Sequence, residues 1–243
     1  MESPAQTMPP SRPHALRTLA VDIGGTGIKA LVLSATGKPL TERRLIKTPR
    51  PATPGAVINA TIEMAKTQGK FDRVSVGFPG VVRRGVTVTA PNLDGNWRNF
   101  KLAEILSKKL GKPVRVANDA DVQGFGAIEG QGVELVITLG TGFGSALFVD
   151  GRLVPNLEIA HHPFDKGRTY EENLGSAALK KAGKKKWTKR LLKAIATLEH
   201  AFNYDHLYIG GGNAQKIIIT LPSNTRIVEN VAGLLGGIAL WRD

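Results

Sequence analysis

Two glycine-rich segments of this 243-residue chain have the composition of phosphate-binding loops. The first is Asp22-Ile23-Gly24-Gly25-Thr26-Gly27, and the second, Gly140-Thr141-Gly142-Phe143-Gly144, repeats the pattern in the other half of the chain. Glycines let the backbone approach a phosphate and direct N–H groups at it, and the threonine hydroxyl adds a donor. Asp22 stands where an acidic side chain can hold Mg²⁺ against phosphate charge. Two such loops facing one cleft would clamp a phosphate chain, as phosphoryl transfer requires, although each loop alone also suits a hairpin turn that needs positive φ.

A candidate general base follows a short apolar strand in the middle of the chain. Asn118 and Asp119 open a predicted helix there. The carboxylate can accept the proton of an attacking hydroxyl, and the amide can hold a neighbouring hydroxyl. Asn and Asp are also the usual residues that cap a helix, so the local sequence by itself favours a structural role. Asp121 is interpreted as a partner of the helix dipole.

Two further segments, one with Glu158 and His161 and one with Glu171 and Glu172, contain residue types suited to sugar recognition. Glu158 and His161 are three residues apart and can bind adjacent sugar hydroxyls. The same spacing suits a metal, but no third ligand is evident, and a solvated loop is equally compatible. Glu171 and Glu172 begin a helical stretch, where acids normally complement the helix dipole, so only one of them is expected to do more.

The charge balance points to anionic partners. Lys plus Arg number 33 and Asp plus Glu number 20, which gives a net charge of +13. Nucleic acid, an anionic membrane and a long phosphate polymer are candidates, beside an inert basic surface. The densest basic run, Lys184–Lys193, is either a solvated helix face or a polyanion track, and Trp187 within it is expected to anchor packing. The chain has no cysteine, which excludes disulfides and thiolate metal sites and makes a reducing cytoplasm the expected compartment.

The elements that must position these residues alternate between strands and helices, which predicts an α/β fold. Each glycine loop lies in a strand–turn–strand–turn–strand unit, and the two units predict two related lobes. No apolar run is long enough for a spanning helix, and residues 1–15 do not resemble a secretory signal. Helices are predicted over residues 54–68, 102–110, 177–182, 189–202 and 230–240, and further strands over 74–78, 86–89, 114–116 and 206–209.

Five segments in order resemble the motifs of the ROK sugar kinases and, within them, of the polyphosphate glucokinase branch, over about Leu16 to Asp243. Residues 19–29 and 139–144 resemble the two phosphate loops, and 116–120 resembles the segment with the catalytic base. Residues 157–161 are similar to the sugar-binding Glu-x-Gly-His, and 209–213 to a later glycine loop near the nucleotide. The cysteine-free loop between His161 and Glu171 is similar to the polyphosphate-using branch, and structural zinc is not expected there.

The resemblance implies a two-lobed actin-like (ribonuclease H-like) ATPase fold with an interlobe cleft. It makes Asp119 the base that deprotonates the 6-hydroxyl of glucose, with Asp22 placing Mg²⁺. The implied sugar ligands are Gly80, Asn92, Asn118, Asp119, Glu158, His161 and Glu171. The implied phosphate contacts are Gly24, Gly25, Thr26, Gly27, Lys29, Gly140, Thr141, Gly142, Gly144, Gly211 and Gly212.

The implied activity is transfer of the terminal phosphoryl group of polyphosphate, and also of ATP, to glucose. A strictly ATP-dependent kinase is the alternative, followed by a sugar-responsive DNA-binding regulator, which the short proline-rich lead does not favour. We expect a cytoplasmic homodimer that has no membrane or nucleic-acid partner. The expected division is a disordered lead over residues 1–15, an N-terminal lobe over 16–118 joined by the C-terminal helix 230–243, and a C-terminal lobe over 119–229.

Overall fold

The computed structural model describes residues 15–228 and 232–242, and within them the chain forms two five-stranded sheets of the same design. The predicted disordered lead lies, except for Ala15, outside the described residues. The strands are β1 (Thr18–Ile23), β2 (Gly27–Leu33), β3 (Arg44–Lys47), β4 (Arg73–Phe78), β5 (Val82–Arg83), β6 (Val86–Thr87), β7 (Val114–Asn118), β8 (Val133–Leu139), β9 (Phe143–Val149), β10 (Arg152–Val154), β11 (Pro163–Asp165), β12 (Arg168–Thr169), β13 (His206–Gly210) and β14 (Thr225–Ile227). The α-helices are α1 (Pro54–Lys66), α2 (Leu102–Leu110), α3 (Asp119–Phe125), α4 (Tyr170–Leu174), α5 (Ser176–Phe202) and α6 (Ala232–Leu235).

The two sheets repeat one strand order. The first runs β3-β2-β1-β4-β7 and the second β10-β9-β8-β13-β14. In each sheet, the first three strands pair with one another in antiparallel fashion, and the last two strands continue the sheet in parallel with the third. This repetition confirms the prediction of two related lobes and the α/β class; the lobe boundaries stay a prediction.

Helices cover the outer faces of both sheets, and one helix lies between the sheets. Helices α1 and α2 pack on the first sheet, and α4 and α5 on the second. Helix α3 contacts strands of both sheets. Gly124 of α3 has no side chain where Phe148 of β9 approaches, since a Cβ atom there would lie 2.5 Å from the ring. Helix α3 therefore packs closely between the sheets, and its N-terminus lies at the gap between them.

The C-terminal segment packs on the first sheet. Helix α6 is followed by a 3₁₀ segment, Gly236–Trp241, whereas the sequence predicted one helix that begins at a position outside the described residues. Gly236 allows the chain to pass directly over α3, because a Cβ atom there would lie 1.8 Å from the Val122 oxygen. Trp241 Nε1 donates a hydrogen bond to Ser75 Oγ (2.8 Å), which fixes the end of the segment to β4.

The basic helix α5 differs from the prediction of two separate helices. It is one long element that is interrupted at Gly183, where φ is 74° and ψ is 158°. The second part starts earlier than the predicted residue 189. Its first turn lacks a regular apolar period, but Trp187 and Thr188 are buried there and fix the turn in the core. Trp187 is fully buried and its Nε1 donates to Leu174 O (2.8 Å), which confirms the predicted packing anchor. Among the described helices, none combines the length and apolar character that a membrane crossing requires.

Candidate active site

The residues that the sequence predicts to contact substrates line one cleft of ≈ 490 Å³ between the two sheets. The predicted base, the predicted metal ligand, all six other sugar positions and all phosphate positions are among the lining residues. They come from turns and strand ends of both sheets and from the N-terminus of α3. The individual roles of these residues stay predictions, but the fold brings the whole predicted set together.

The first glycine loop is the turn between β1 and β2, and neighbouring side chains hold it from behind. Gly24 N donates to Gly27 O (2.9 Å) across the turn. Thr48 Oγ1 donates to Gly24 O (2.6 Å), and Arg50 Nη2 donates to Gly25 O (2.7 Å). None of the three loop glycines at positions 24, 25 and 27 has positive φ. The alternative of a turn that needs glycine for its φ is therefore wrong here, and close approach of the backbone is the remaining reason for glycine.

The second glycine loop is the turn between β8 and β9, and its supports come from distant parts of the chain. Gly140 O accepts hydrogen bonds from Ser176 Oγ (2.7 Å) and Asn213 Nδ2 (3.0 Å). Gly142 packs against a carboxylate, because a Cβ atom there would lie 2.2 Å from Glu171 Oε2. The sequence analysis did not identify Ser176 and Asn213. Their only local signals are a helix start and a position directly after three glycines.

Asn118 serves both as a helix cap and as a wall of the cleft. Its Oδ1 accepts from Ala120 N (2.8 Å) and Asp121 N (3.4 Å), which is the capping role that the local sequence favoured. Its Nδ2 donates to Gly80 O (3.1 Å) and Glu158 Oε1 (3.4 Å). The amide thus connects the start of α3 to the segment that carries Glu158.

Asp119 is the first residue of α3 and lies among other carboxylates. Burial raises its pKa to about 7, and the negative charge of Asp22 adds to the shift. The N–H of Ala120, which donates to Asp119 Oδ1 (2.8 Å), acts in the opposite direction, and Glu158 and Asp121 raise the pKa further. A carboxylate with such a pKa is a stronger proton acceptor than an ordinary aspartate and is still partly ionised at neutral pH.

Asp121 is interpreted differently once the structure is known. The local pattern predicted only a partner of the helix dipole, but Asp121 is just 4% exposed. Burial raises its pKa to about 7, and the charge of Glu158 contributes. It does not line the cleft. We therefore regard Asp121 as part of the electrostatic surroundings of Asp119.

A serine of β9 holds the segment that carries Glu158. Ser145 Oγ donates to Leu157 O (2.9 Å) and accepts from Ile159 N (3.3 Å), so the residues on both sides of Glu158 are fixed. Burial raises the pKa of Glu158; the positive charge of His161 opposes this shift and Glu171 adds to it.

Only one of the two adjacent glutamates at the start of α4 reaches the cleft. Glu172 closes a capping box with Thr169: its carboxylate accepts from Thr169 N (2.8 Å), and its N–H donates to Thr169 Oγ1 (3.2 Å). Glu171 lines the cleft, where its Oε2 accepts from Phe143 N (3.2 Å). The expectation that just one of the pair does more than complement the helix dipole agrees with this difference.

Asp22 has a cationic partner inside the cleft. Lys29 Nζ donates to Asp22 Oδ2 (2.9 Å) across the β1–β2 pair. No cluster of three or more metal-binding side chains is found among the described residues. Mg²⁺ normally needs only one or two carboxylates together with water and substrate phosphates. The donor set around Asp22 therefore fits an ion that arrives with a phosphate chain and does not fit a dedicated protein cage.

Besides Ser145, two polar side chains of the cleft had no role in the sequence analysis. Gln123 of α3 and Thr138 of β8 both line it. The Gln123 amide packs against the glycine segment at residues 209–213, since a Cβ atom at Gly210 would lie 2.6 Å from Gln123 Nε2. These residues escape notice in the sequence because neither belongs to a glycine or acidic motif.

Comparisons with known proteins agree with this geometry. Residues 18–158 match the model of the ROK family. The chain is 34% identical over 233 residues to "Polyphosphate glucokinase" of Mycobacterium tuberculosis (strain ATCC 25177 / H37Ra), which covers 89% of this chain and 88% of that protein. The crystal structure of the inorganic polyphosphate/ATP-glucomannokinase from Arthrobacter sp. strain KM superposes with a TM-score of 0.84 at 35% identity, covering 93% and 100% of the two chains. A glucokinase from Streptomyces griseus, solved with glucose and AMPPNP, gives a TM-score of 0.77 at 21% identity, covering 92% and 98%, and supports the actin-like fold alone.

Proposed function

Because the chain belongs to the ROK family, we propose that it is a polyphosphate glucokinase. It transfers the terminal phosphoryl group of inorganic polyphosphate, and also that of ATP, to the 6-hydroxyl of glucose. The observation that carries the proposal is that two glycine loops on equivalent hairpins meet at one cleft with Asp119 beside them. The 34% identity with a polyphosphate glucokinase over most of both chains supports the choice of substrates.

In the proposed reaction Asp119 is the general base. It accepts the proton of the 6-hydroxyl while the sugar oxygen bonds to the terminal phosphorus and the bond from that phosphorus to the bridging donor oxygen breaks. The products are glucose 6-phosphate and a donor shortened by one phosphoryl group. The pKa of about 7 supports this role, because a base is most effective when its pKa is near the working pH.

We assign one side of the cleft to the sugar. The proposed sugar ligands all line the same cleft as Asp119. In addition, the Asn118 amide contacts the Glu158 carboxylate, so an amide and a carboxylate can bind adjacent hydroxyls. Binding of several hydroxyls at once would orient the 6-hydroxyl and lower the entropic cost of the reaction. The proposed sugar ligands are Gly80, Asn92, Asn118, Asp119, Glu158, His161 and Glu171.

We assign the glycine loops and Lys29 to the phosphates of the donor. Asp22 would hold Mg²⁺, which when bound supplies neutralisation of the phosphate charge. Lys29 adjoins Asp22 and is a second source of positive charge at the same place. The proposed phosphate contacts are Gly24, Gly25, Thr26, Gly27, Lys29, Gly140, Thr141, Gly142, Gly144, Gly211 and Gly212.

We further propose a homodimer in the cytoplasm without membrane or nucleic-acid partners. The support is the resemblance to the kinases of the family and, for the compartment, the absence of cysteine from the sequence. The mass in solution, measured by light scattering, tests the dimer.

A coupled assay for glucose 6-phosphate tests the function. The protein is incubated with glucose and Mg²⁺ and either polyphosphate or ATP, and turnover is expected with both donors. Turnover with ATP alone would mean a strictly ATP-dependent kinase. Salt-sensitive, sequence-specific binding to duplex DNA without turnover would mean a regulator, and glucose binding without either activity would mean a silent sugar-binding protein.

A further inference from the structure

The first half of helix α5 carries positive charge that nothing else in the described structure balances. Between Ser176 and Leu198 the sequence has eight lysines and arginines and no carboxylate. Lys193 pairs with Asp165 (2.5 Å), but in the described part of the chain six other lysines have no carboxylate at ion-pair distance. We call these six exposed side chains the α5 basic surface: Lys180, Lys181, Lys184, Lys185, Lys186 and Lys189.

This surface contains a shallow, open depression. The interruption at Gly183 turns the helix, and a hollow of ≈ 410 Å³ lies at the turn. Its lining consists of Ala182, Gly183 and four of the lysines. A Cβ atom at Gly183 would contact nothing within 4 Å, so glycine is present for its positive φ and not for lack of space. Four lysines thus border one shallow depression, where an extended anion could contact several of them at once.

The α5 basic surface is attached close to the second glycine loop. Trp187, which lies among the lysines in sequence, donates its indole N–H to Leu174 O (2.8 Å). Leu174 is two residues from Ser176, whose hydroxyl donates to Gly140 O (2.7 Å). Two steps of the Cα trace span at most about 7.6 Å. The helix that carries the α5 basic surface therefore begins beside the second glycine loop, and a long anionic chain that leaves the loop can follow this helix to the lysines.

We propose that the α5 basic surface binds the distal part of a long linear polyphosphate whose terminal phosphoryl group lies in the cleft. The inference rests on the proposed function and adds a second contact region for its donor. Flexible ammonium groups suit the regularly spaced charges of an inorganic chain, for which no planar fork is needed. Single-stranded nucleic acid is less well matched, because its recognition uses exposed aromatic side chains and Trp187 is fully buried.

The test compares two variants that lose the same charge. The first is Lys184→Gln/Lys185→Gln/Lys186→Gln. The control is Lys66→Gln/Lys70→Gln/Lys109→Gln, whose lysines are exposed on α1, α2 and the turn after α1, on the other sheet. The KM for long polyphosphate should rise about ten-fold in the first variant and stay unchanged in the control. The slope of log affinity against log salt should fall by about two. The KM for ATP, the KM for glucose and the melting temperature should not change in either variant.

The outcomes separate this inference from the proposed function. Absence of polyphosphate turnover in the unsubstituted protein would overturn the proposed donor and this inference with it. Intact turnover with equal KM values for long polyphosphate in both variants would overturn the inference alone. A loss of DNA binding in the first variant, with its polyphosphate KM unchanged, would mean that the surface binds nucleic acid and would also overturn it.

Discussion

The raised pKa of Asp119 predicts a steep loss of activity between pH 8 and pH 6. If the group titrates at about 7, roughly 90% of it is ionised at pH 8 and roughly 10% at pH 6. The ionised form is the base, so kcat/KM for glucose should fall about ten-fold over this interval. An aspartate with the ordinary pKa of 3.8 would stay ionised throughout and would give a flat profile.

The assay is the rate of glucose 6-phosphate formation at saturating donor and limiting glucose, because kcat/KM for glucose then reports ionisations of the enzyme that has bound the donor but not yet glucose. The assay is run with ATP and with polyphosphate, because a fall in the pH–rate profile that is caused by a group of the protein occurs at the same pH with both donors. Asp121→Asn is the diagnostic variant: the charge of Asp121 raises the pKa of Asp119, so its removal should move the acid limb to lower pH. A flat profile between pH 6 and pH 8 with both donors would refute the reasoning about the carboxylate cluster.

Asp119→Asn should lower kcat by about 10²–10⁴-fold. Because the pKa of Asp119 in the native state lies above 3.8, the native protein loses stability as the pH rises towards 7. The variant should therefore have a higher free energy of unfolding at pH 8, by at most about 4 kcal/mol, and no gain at pH 3. Equal melting temperatures of the two proteins at pH 8 would contradict this. Gly142→Ala should push away the Glu171 carboxylate, raise the KM for glucose about ten-fold and leave the melting temperature unchanged, and an unchanged KM would speak against Glu171 as a sugar ligand. Asn213→Ala should cost about 1–3 kcal/mol of unfolding free energy and raise the KM for the donor more than that for glucose, because Asn213 supports Gly140; equal changes in the two KM values would count against that role.

The elements that the sequence predicted well are those whose signals are local. The apolar run of β4 and the apolar period of α1 and α2 predicted the positions of these elements within a few residues. The glycine loops and the Asn118–Asp119 pair were also found locally, and the fold brings them to one cleft.

What the sequence did not predict depends on contacts between distant residues. Ser176 and Asn213 support Gly140 from 36 and 73 positions away. Ser176 belongs to no motif, and the glycine segment 209–213 that ends at Asn213 does not indicate that its side chain supports another loop. The pKa of Asp119 results from burial and from the charges of Asp22 and Glu158, which lie in two other segments, as well as from Asp121 on the same helix. No local pattern encodes the burial or the two distant charges. The early start of the second part of α5 depends on the burial of Trp187 against α4.

Helix α3 lies between two sheets that each contribute one glycine loop. The contacts to the donor and the position of Asp119 therefore depend on different elements of the fold. Changes in either hairpin would alter the proposed donor contacts, whereas Asp119 lies on a helix that belongs to neither hairpin. On the proposed assignment, substitutions that change the preference for one donor can therefore leave the position of the general base unchanged.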